Sequence, residues 1–207
     1  MKIFCEKGNQ IINEKAYSTA STLKRGQVVK LSGGSAAAAS ASETAQLLGI
    51  CLENKTGSVR VADGPALVFM CPAPEITVTT GSVTTVSASA LGSFSDDAFN
   101  GGKLMLTYKA SGSTNSGSIG DSYSVSDYDG TDKEFTLGTT LTGAPVAGDK
   151  YRVFPPIGSC LGALSSDSES LVLTTATANF SIRVVGWDLK NRAVYLMANS
   201  HVYGNKQ

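Results

Sequence analysis

Apolar and polar residues alternate with period two through much of this chain, in short runs closed by Gly, Asn, Asp or Pro. Such runs predict half-buried β-strands. In Gln27-Val28-Val29-Lys30-Leu31 the alternation predicts a strand with Val29 and Leu31 on one face and Val28 and Lys30 on the other. Leu48-Gly49-Ile50-Cys51-Leu52-Glu53 repeats the pattern, setting Leu48, Ile50 and Leu52 against Gly49, Cys51 and Glu53. Gly33-Gly34 ends the first of these strands, and the Ala/Ser run from Ser35 to Thr44 predicts a pliable surface loop. Alanine favours helix, but the serines and the lack of an apolar stripe before Leu47 oppose one. Further on, Val59 and Val61 alternate with Ser58 and Arg60, and Ala66 to Met70 follows an Asp63-Gly64-Pro65 turn.

Two apolar patches, Ile3-Phe4-Cys5 and Ile11-Ile12, flank the Gly8-Asn9 turn signal and predict an edge strand, a turn and a second strand or arm. Ser18-Thr19 and Ser21-Thr22 predict that this segment is jointed rather than rigid. From 72 to 156 the chain continues with strand formers: Ile76 to Gly81, Val83 to Ser87, Lys103 to Tyr108 and Glu134 to Leu137. Cys71-Pro72-Ala73-Pro74 and Val153-Phe154-Pro155-Pro156 bracket that region as domain boundaries do. Within it, Ile119-Gly120-Asp121 and Ala147-Gly148-Asp149 echo each other, each a Gly-Asp turn ahead of an alternating strand. Ile157 to Leu164 and Ser170 to Thr175 supply two short strands. Phe180 to Trp187 and Arg192 to Met197 then form a hairpin, with Ile182 and Val184 on one face and Arg183 and Val185 on the other. These elements predict an all-β fold. Residues 1–71 and 157–207 together form a small β-barrel or sandwich, and residues 72–156 are an inserted β-rich lobe.

Charge narrows the functional classes. Lys+Arg and Asp+Glu number 17 each, and charged residues are 16% of the chain, so the basic excess that marks a nucleic-acid binder is missing. No apolar run approaches the roughly 20 residues of a membrane-spanning helix. Met1 to Lys7 is too short and charged for a signal peptide, so the sequons at Asn54 and Asn179 are expected to be unused. Cys5, Cys51, Cys71 and Cys160 lack any Cys-x-x-Cys pairing and read as small buried hydrophobes in a reducing cytosol.

No catalytic, cofactor or metal site is predicted. Gly33-Gly34 runs into serine and alanine rather than the lysine and hydroxyl residue of a phosphate cradle. His201, the sole histidine, sits in a terminal tail that is a poor holder for a base. Gly117-Ser118-Ile119-Gly120 has the wrong spacing for a nucleophile elbow. Asp127-Tyr128-Asp129-Gly130-Thr131-Asp132 begins like a hard-cation loop, but Gly138 stands where its final glutamate belongs, and an Asp-Gly hairpin turn explains the same residues. Asp96-Asp97 and the Asp167/Glu169 pair read as solvated turns. Tyr108, Tyr123, Tyr128, Tyr151 and Trp187 would suit a sugar-binding face, though on alternating strands such residues are more often core.

The Gly8-Asn9 turn, the Gly26 to Val29 strand, the Leu48-Gly49-Ile50 strand and the Gly-led strand Gly57 to Val61 occur in an informative order. Over its first third the chain resembles the small β modules of tailed-bacteriophage head decoration, or capsid cement, proteins. The resemblance implies a non-enzymatic virion protein, made in the host cytoplasm and bound to the capsid exterior. Its partner would be the major capsid protein, its form a homotrimer near local threefold positions, and its task to brace the shell against internal pressure. No cofactor, nucleic acid or membrane enters that role. Ile3, Phe4, Ile11 and Ile12 are then the interface candidates, adding a strand to a neighbouring sheet edge. The alternative is a glycan- or host-surface-binding head-fibre or adhesin module whose recognition surface is the 72–156 lobe.

Overall fold

The computed structural model describes residues 2–4, 13–39, 47–63, 68–160, 162–164, 171–173 and 182–198. Among them the chain is all-β, with no helix. After β1 (Lys2–Phe4) come β2 (Asn13–Leu23), β3 (Val28–Ser32), β4 (Ser35–Ala38), β5 (Leu47–Cys51) and β6 (Lys55–Asp63). The last five pair antiparallel in the order β2-β6-β5-β3-β4. The two outer strands meet again, with the Ser18 and Ser35 hydroxyls 3.0 Å apart. The sheet is therefore a nearly closed barrel, filled by Leu23, Val29, Leu48, Cys51, Val59 and Val61. Along β6 the period-two pattern is realised, Val59 and Val61 buried and Ser58 and Arg60 exposed.

Two local expectations are corrected here. Ser35 to Ala38 is a strand rather than the start of a loop: Gly33 and Gly34 take φ values of 55° and 81°, the two-residue hairpin turn that matches strand twist. The chain thus returns beside β3, Ser32 opposite Ser35, and Ala36 fits inside the barrel. Residues 40–44 of that run lie outside the described residues. In β5, Val29 opposes Gly49 but Lys30 opposes Leu47, so Leu48 is the extra residue of a β-bulge. The bulge reverses the faces. Leu48 and Cys51 point into the barrel, while Leu47 and Ile50 join Val28 outside it, instead of Leu48 and Ile50 sharing one side.

The outer face of β3 and β5 is buried as well, because other strands cover it. β7 (Val68–Pro72) leads into β8 (Glu75–Thr77), β9 (Thr80–Gly81), β10 (Thr85–Ser87), β11 (Lys103–Tyr108), β12 (Ser122–Asp129), β13 (Glu134–Leu137) and β14 (Lys150–Phe154). β8 to β14 form one sheet in the order β8-β14-β11-β12-β13-β10-β9. Its end strands are consecutive in the chain. Between them Val78 N–H donates to the Asp149 carbonyl at 2.8 Å, and Thr79 N–H donates to that of Ser87 at 2.9 Å, so the sheet curls into a second barrel-like unit. Inside it the Phe99 ring centroid lies 4.9 Å from Phe94, 4.8 Å from Tyr128 and 5.1 Å from Phe135. Edge-on and tilted contacts at such distances are the arrangement ring quadrupoles favour.

β15 (Gly162–Leu164) pairs with β16 (Leu171–Leu173), and β17 (Ile182–Asp188) with β18 (Ala193–Ala198). β18 also pairs with β7 and β7 with β1, giving a four-stranded sheet β1-β7-β18-β17 that joins both ends of the chain. Ile182 and Val184 are buried, Arg183 and Val185 half-buried. One apolar cluster then connects the three larger sheets. Val28, Leu47 and Ile50 come from the first barrel, Cys71, Val184, Val194 and Leu196 from the four-stranded sheet, and Met105 and Phe154 from the second barrel. Residues 75–154 thus have their own sheet and interior, yet part of their outer surface belongs to this shared core. Ile50→Ala is expected to cost about 2–5 kcal/mol in urea melts by opening a cavity there. The exposed Lys55→Ala should stay within about 0.5 kcal/mol.

Candidate functional site

Ile3 and Phe4 lie on β1, opposite Phe69 and Val68, at the margin of the four-stranded sheet. Ile11 and Ile12 fall outside the described residues, as do Cys5, Asp167, Glu169 and His201. Asn13 to Leu23 is one strand. Its one irregularity lies between Thr19 and Leu23, where the Thr19 hydroxyl donates to the Ser21 carbonyl at 2.9 Å. Cys51 and Cys71 are buried in two different clusters and Cys160 is half-buried. Burial pushes the Cys51 and Cys160 thiols up, away from the reactive thiolate.

The acidic stretch 127–132 is the end of β12 and the start of the turn to β13. Asp129 Oδ1 accepts from the backbone N–H of Thr131 at 2.8 Å and of Asp132 at 3.0 Å. Asp96 Oδ1 accepts from Gly130 N–H at 2.9 Å, and Asp97 Oδ1 from Asn100 Nδ2 at 2.6 Å. These carboxylates close the turn and tie the 96–100 loop to it. Among the described residues no three His, Cys, Asp or Glu side chains are grouped to hold a metal ion. Tyr128, between two of the aspartates, points into the aromatic core; burial first, then the Asp129 and Asp96 charges, push its phenol up to about 12.

The Gly-Asp echo marks the most connected polar cluster among the described residues. Gly120 and Gly148 have φ of 101° and 92°, a conformation glycine adopts without a Cβ clash. Each glycine N–H donates to a backbone carbonyl, that of Leu106 in β11 or of Val78 just after β8, and the same residue's N–H donates back to the aspartate carbonyl. The two carboxylates then diverge. Asp121 is exposed and accepts from Ser118 N–H at 2.8 Å. Asp149 is fully buried and accepts from Ala110 N–H at 2.8 Å, Ser113 Oγ at 2.9 Å, Asn115 Nδ2 at 3.1 Å and Val146 N–H at 3.3 Å. Burial alone would raise its pKa, but these donors outweigh it and hold the carboxyl below the usual range.

Asn115 extends the network. Its Nδ2 also donates to the Tyr151 hydroxyl at 2.7 Å, and its Oδ1 accepts from Gly117 N–H at 3.0 Å. The Lys109 ammonium donates to the carbonyls of Asn115 and Gly117. Residues 109–118 are thereby pinned from beneath by side chains from both ends of the loop and from β14. Above that floor, Tyr108 and Ile119 stand 51% and 56% exposed.

Of the five aromatics considered for a sugar face, Tyr128 and Tyr151 are core, and Tyr123 and Trp187 are half-buried. The Trp187 indole N–H donates to the Pro155 carbonyl at 2.8 Å. Tyr108 alone of the five is exposed. Asn115 and Asp149 carry no motif of their own, and Gly148-Asp149 was legible in the sequence as a turn, not as a buried anion. The fold and this loop define an all-β protein built of two barrel-like units around a shared core. No family model, curated protein or solved structure matches the chain.

Proposed function

We propose that this chain is a structural virion protein that binds the exterior of a tailed-phage capsid and braces the shell, with the major capsid protein as partner and a homotrimer as its working form. The observation that supports it most is the position of the glycines that carry the decoration-protein resemblance. Gly26, at φ 92°, turns the chain into β3 and donates its N–H to the Cys51 carbonyl at 2.8 Å. Gly49 lies where β5 passes against β6, and Gly57, at φ 91°, lies in β6. All three shape one small barrel. Shell bracing asks for a stiff body, and two curled sheets packed on a common apolar cluster suit it. Strand margins such as β1 provide the means of attachment by strand addition.

Shells assembled from the same phage's major capsid protein, mixed with this chain and imaged by cryo-electron microscopy, should carry density for it on the outer surface around local threefold positions. Bare shells at saturating protein would end the proposal. Removal of residues 2–12 tests the attachment segment. The truncated chain is expected to keep a cooperative melt while its co-sedimentation with shells falls about tenfold or more. Undiminished co-sedimentation would exclude Ile3, Phe4, Ile11 and Ile12 from the interface. Loss of the melt would assign the segment to the fold.

A further inference from the structure

Tyr108 is the last residue of β11, and the Gly120–Leu106 and Leu106–Asp121 backbone hydrogen bonds hold the Ile119 segment beside that strand. Two large exposed apolar side chains therefore occupy neighbouring backbone at one end of the second barrel. Between them in sequence runs Lys109 to Ser118, a loop of Ser, Gly, Thr and Asn in which Ser111, Ser116 and Ser118 are exposed. The ionisable side chains around it balance in sign, Lys109, Lys150 and Arg152 against Glu75, Asp121 and Asp149. Lys109 is capped by two carbonyls, Asp149 is buried among its donors, and Asp121 accepts from Ser118. Lys150, opposite Tyr108 in the sheet, lies 3.5 Å from Glu75. What faces solvent is an aromatic ring, an aliphatic side chain, hydroxyls and the Asp121 carboxylate, with no surplus of cations among the described residues to favour an anionic ligand.

We propose that this platform binds a neutral oligosaccharide. A pyranose ring has an apolar C–H face that stacks on the Tyr108 ring and against Ile119, and equatorial hydroxyls that exchange hydrogen bonds with the serine-rich loop. Tyr with Ser, Gly and Asn is the side-chain set of adaptable protein binding sites, and the tyrosine adds rigid contact area at small entropic cost. The buried Asp149–Asn115–Tyr151 network holds the loop in place before a ligand arrives, so binding does not have to order it. The charge balance selects against phosphorylated, sulfated and sialylated ligands. This inference goes beyond capsid attachment and uses a different surface, so either can fail without the other.

The full-length protein is to be screened on an array of neutral gluco-, manno-, galacto- and chitooligosaccharides alongside sialylated and sulfated glycans, and the best neutral compound measured by calorimetry. Binding to neutral glycans is expected, weakened about tenfold or more by Tyr108→Ala. Ile119→Ser should weaken it as well. Tyr108→Phe, which keeps the ring, and Ile157→Ser, at an exposed position on another loop, should leave it unchanged. All four variants should melt with the parent, because the altered side chains are exposed or, in Tyr108→Phe, conserved in shape. No neutral binding, a preference for the anionic glycans, or full affinity in a folded Tyr108→Ala protein would each overturn the proposal.

Discussion

Gly49→Ala is expected to destabilise the first barrel by about 3 kcal/mol or more, an overpacking cost at the upper end of its class. A Cβ built on Gly49 would stand 1.9 Å from the Ala62 carbonyl oxygen and 2.9 Å from its carbon, so β5 and β6 must separate to admit it. The obstacle is backbone in the middle of a barrel wall, where the Gly49 and Ile50 pairings to β6 would be lost with it. Gly57→Ala is the control: open space surrounds that position, and its positive φ alone should cost about 1–2 kcal/mol. Urea melts read the difference as a lower midpoint at unchanged slope. Equal effects of the two substitutions would show that the strands do not approach this closely.

Asp149→Ala carries the other large effect. It removes the acceptor of the Ala110 and Val146 amides, the Ser113 hydroxyl and one Asn115 amide N–H in a largely buried place. Each unsatisfied buried donor costs roughly 1–3 kcal/mol, and after partial relaxation a net loss of about 4 kcal/mol is expected. The same carboxylate sets an acid dependence. Its folded pKa lies below the unfolded value, so its contribution is complete above the ordinary aspartate range near pH 4 and is lost as pH falls through the folded value. Denaturation midpoints of the parent and of Asp149→Asn should therefore converge as pH drops below about 4. A gap that stays constant down to the most acid conditions would mean that the charge does not matter.

Much of the strand inventory could be read from residue order because period two is a local property. Val59 and Val61, Ile182 and Val184, and the Asp-Gly turn after Asp129 each needed a few neighbours and nothing more. Ser35 to Ala38 reads as loop because alanine has little β propensity; its small side chain matters only once Ala36 must fit inside a closing barrel. Ile3 and Phe4 were legible as an edge strand, which is how β1 pairs.

By itself, then, the sequence determined where strands and turns fall and that the protein is all-β, since alternation and the Gly, Asn, Asp and Pro breaks act over a few residues. Tertiary structure decided what covers each face. Val28 and Ile50 are buried because Met105 and Phe154, far along the chain, pack on the outside of the first barrel with the C-terminal strands. The bulge at Leu48 exchanged the two faces of β5 where the wall meets its neighbour. The same Gly-Asp turn exposed Asp121 and buried Asp149, because the second alone lies beneath residues 110–115. Local period encodes alternation but not the long-range packing that gives the second face of a strand its partner. That packing also decided that Tyr151 supports the loop from below while Tyr108 is left in solvent.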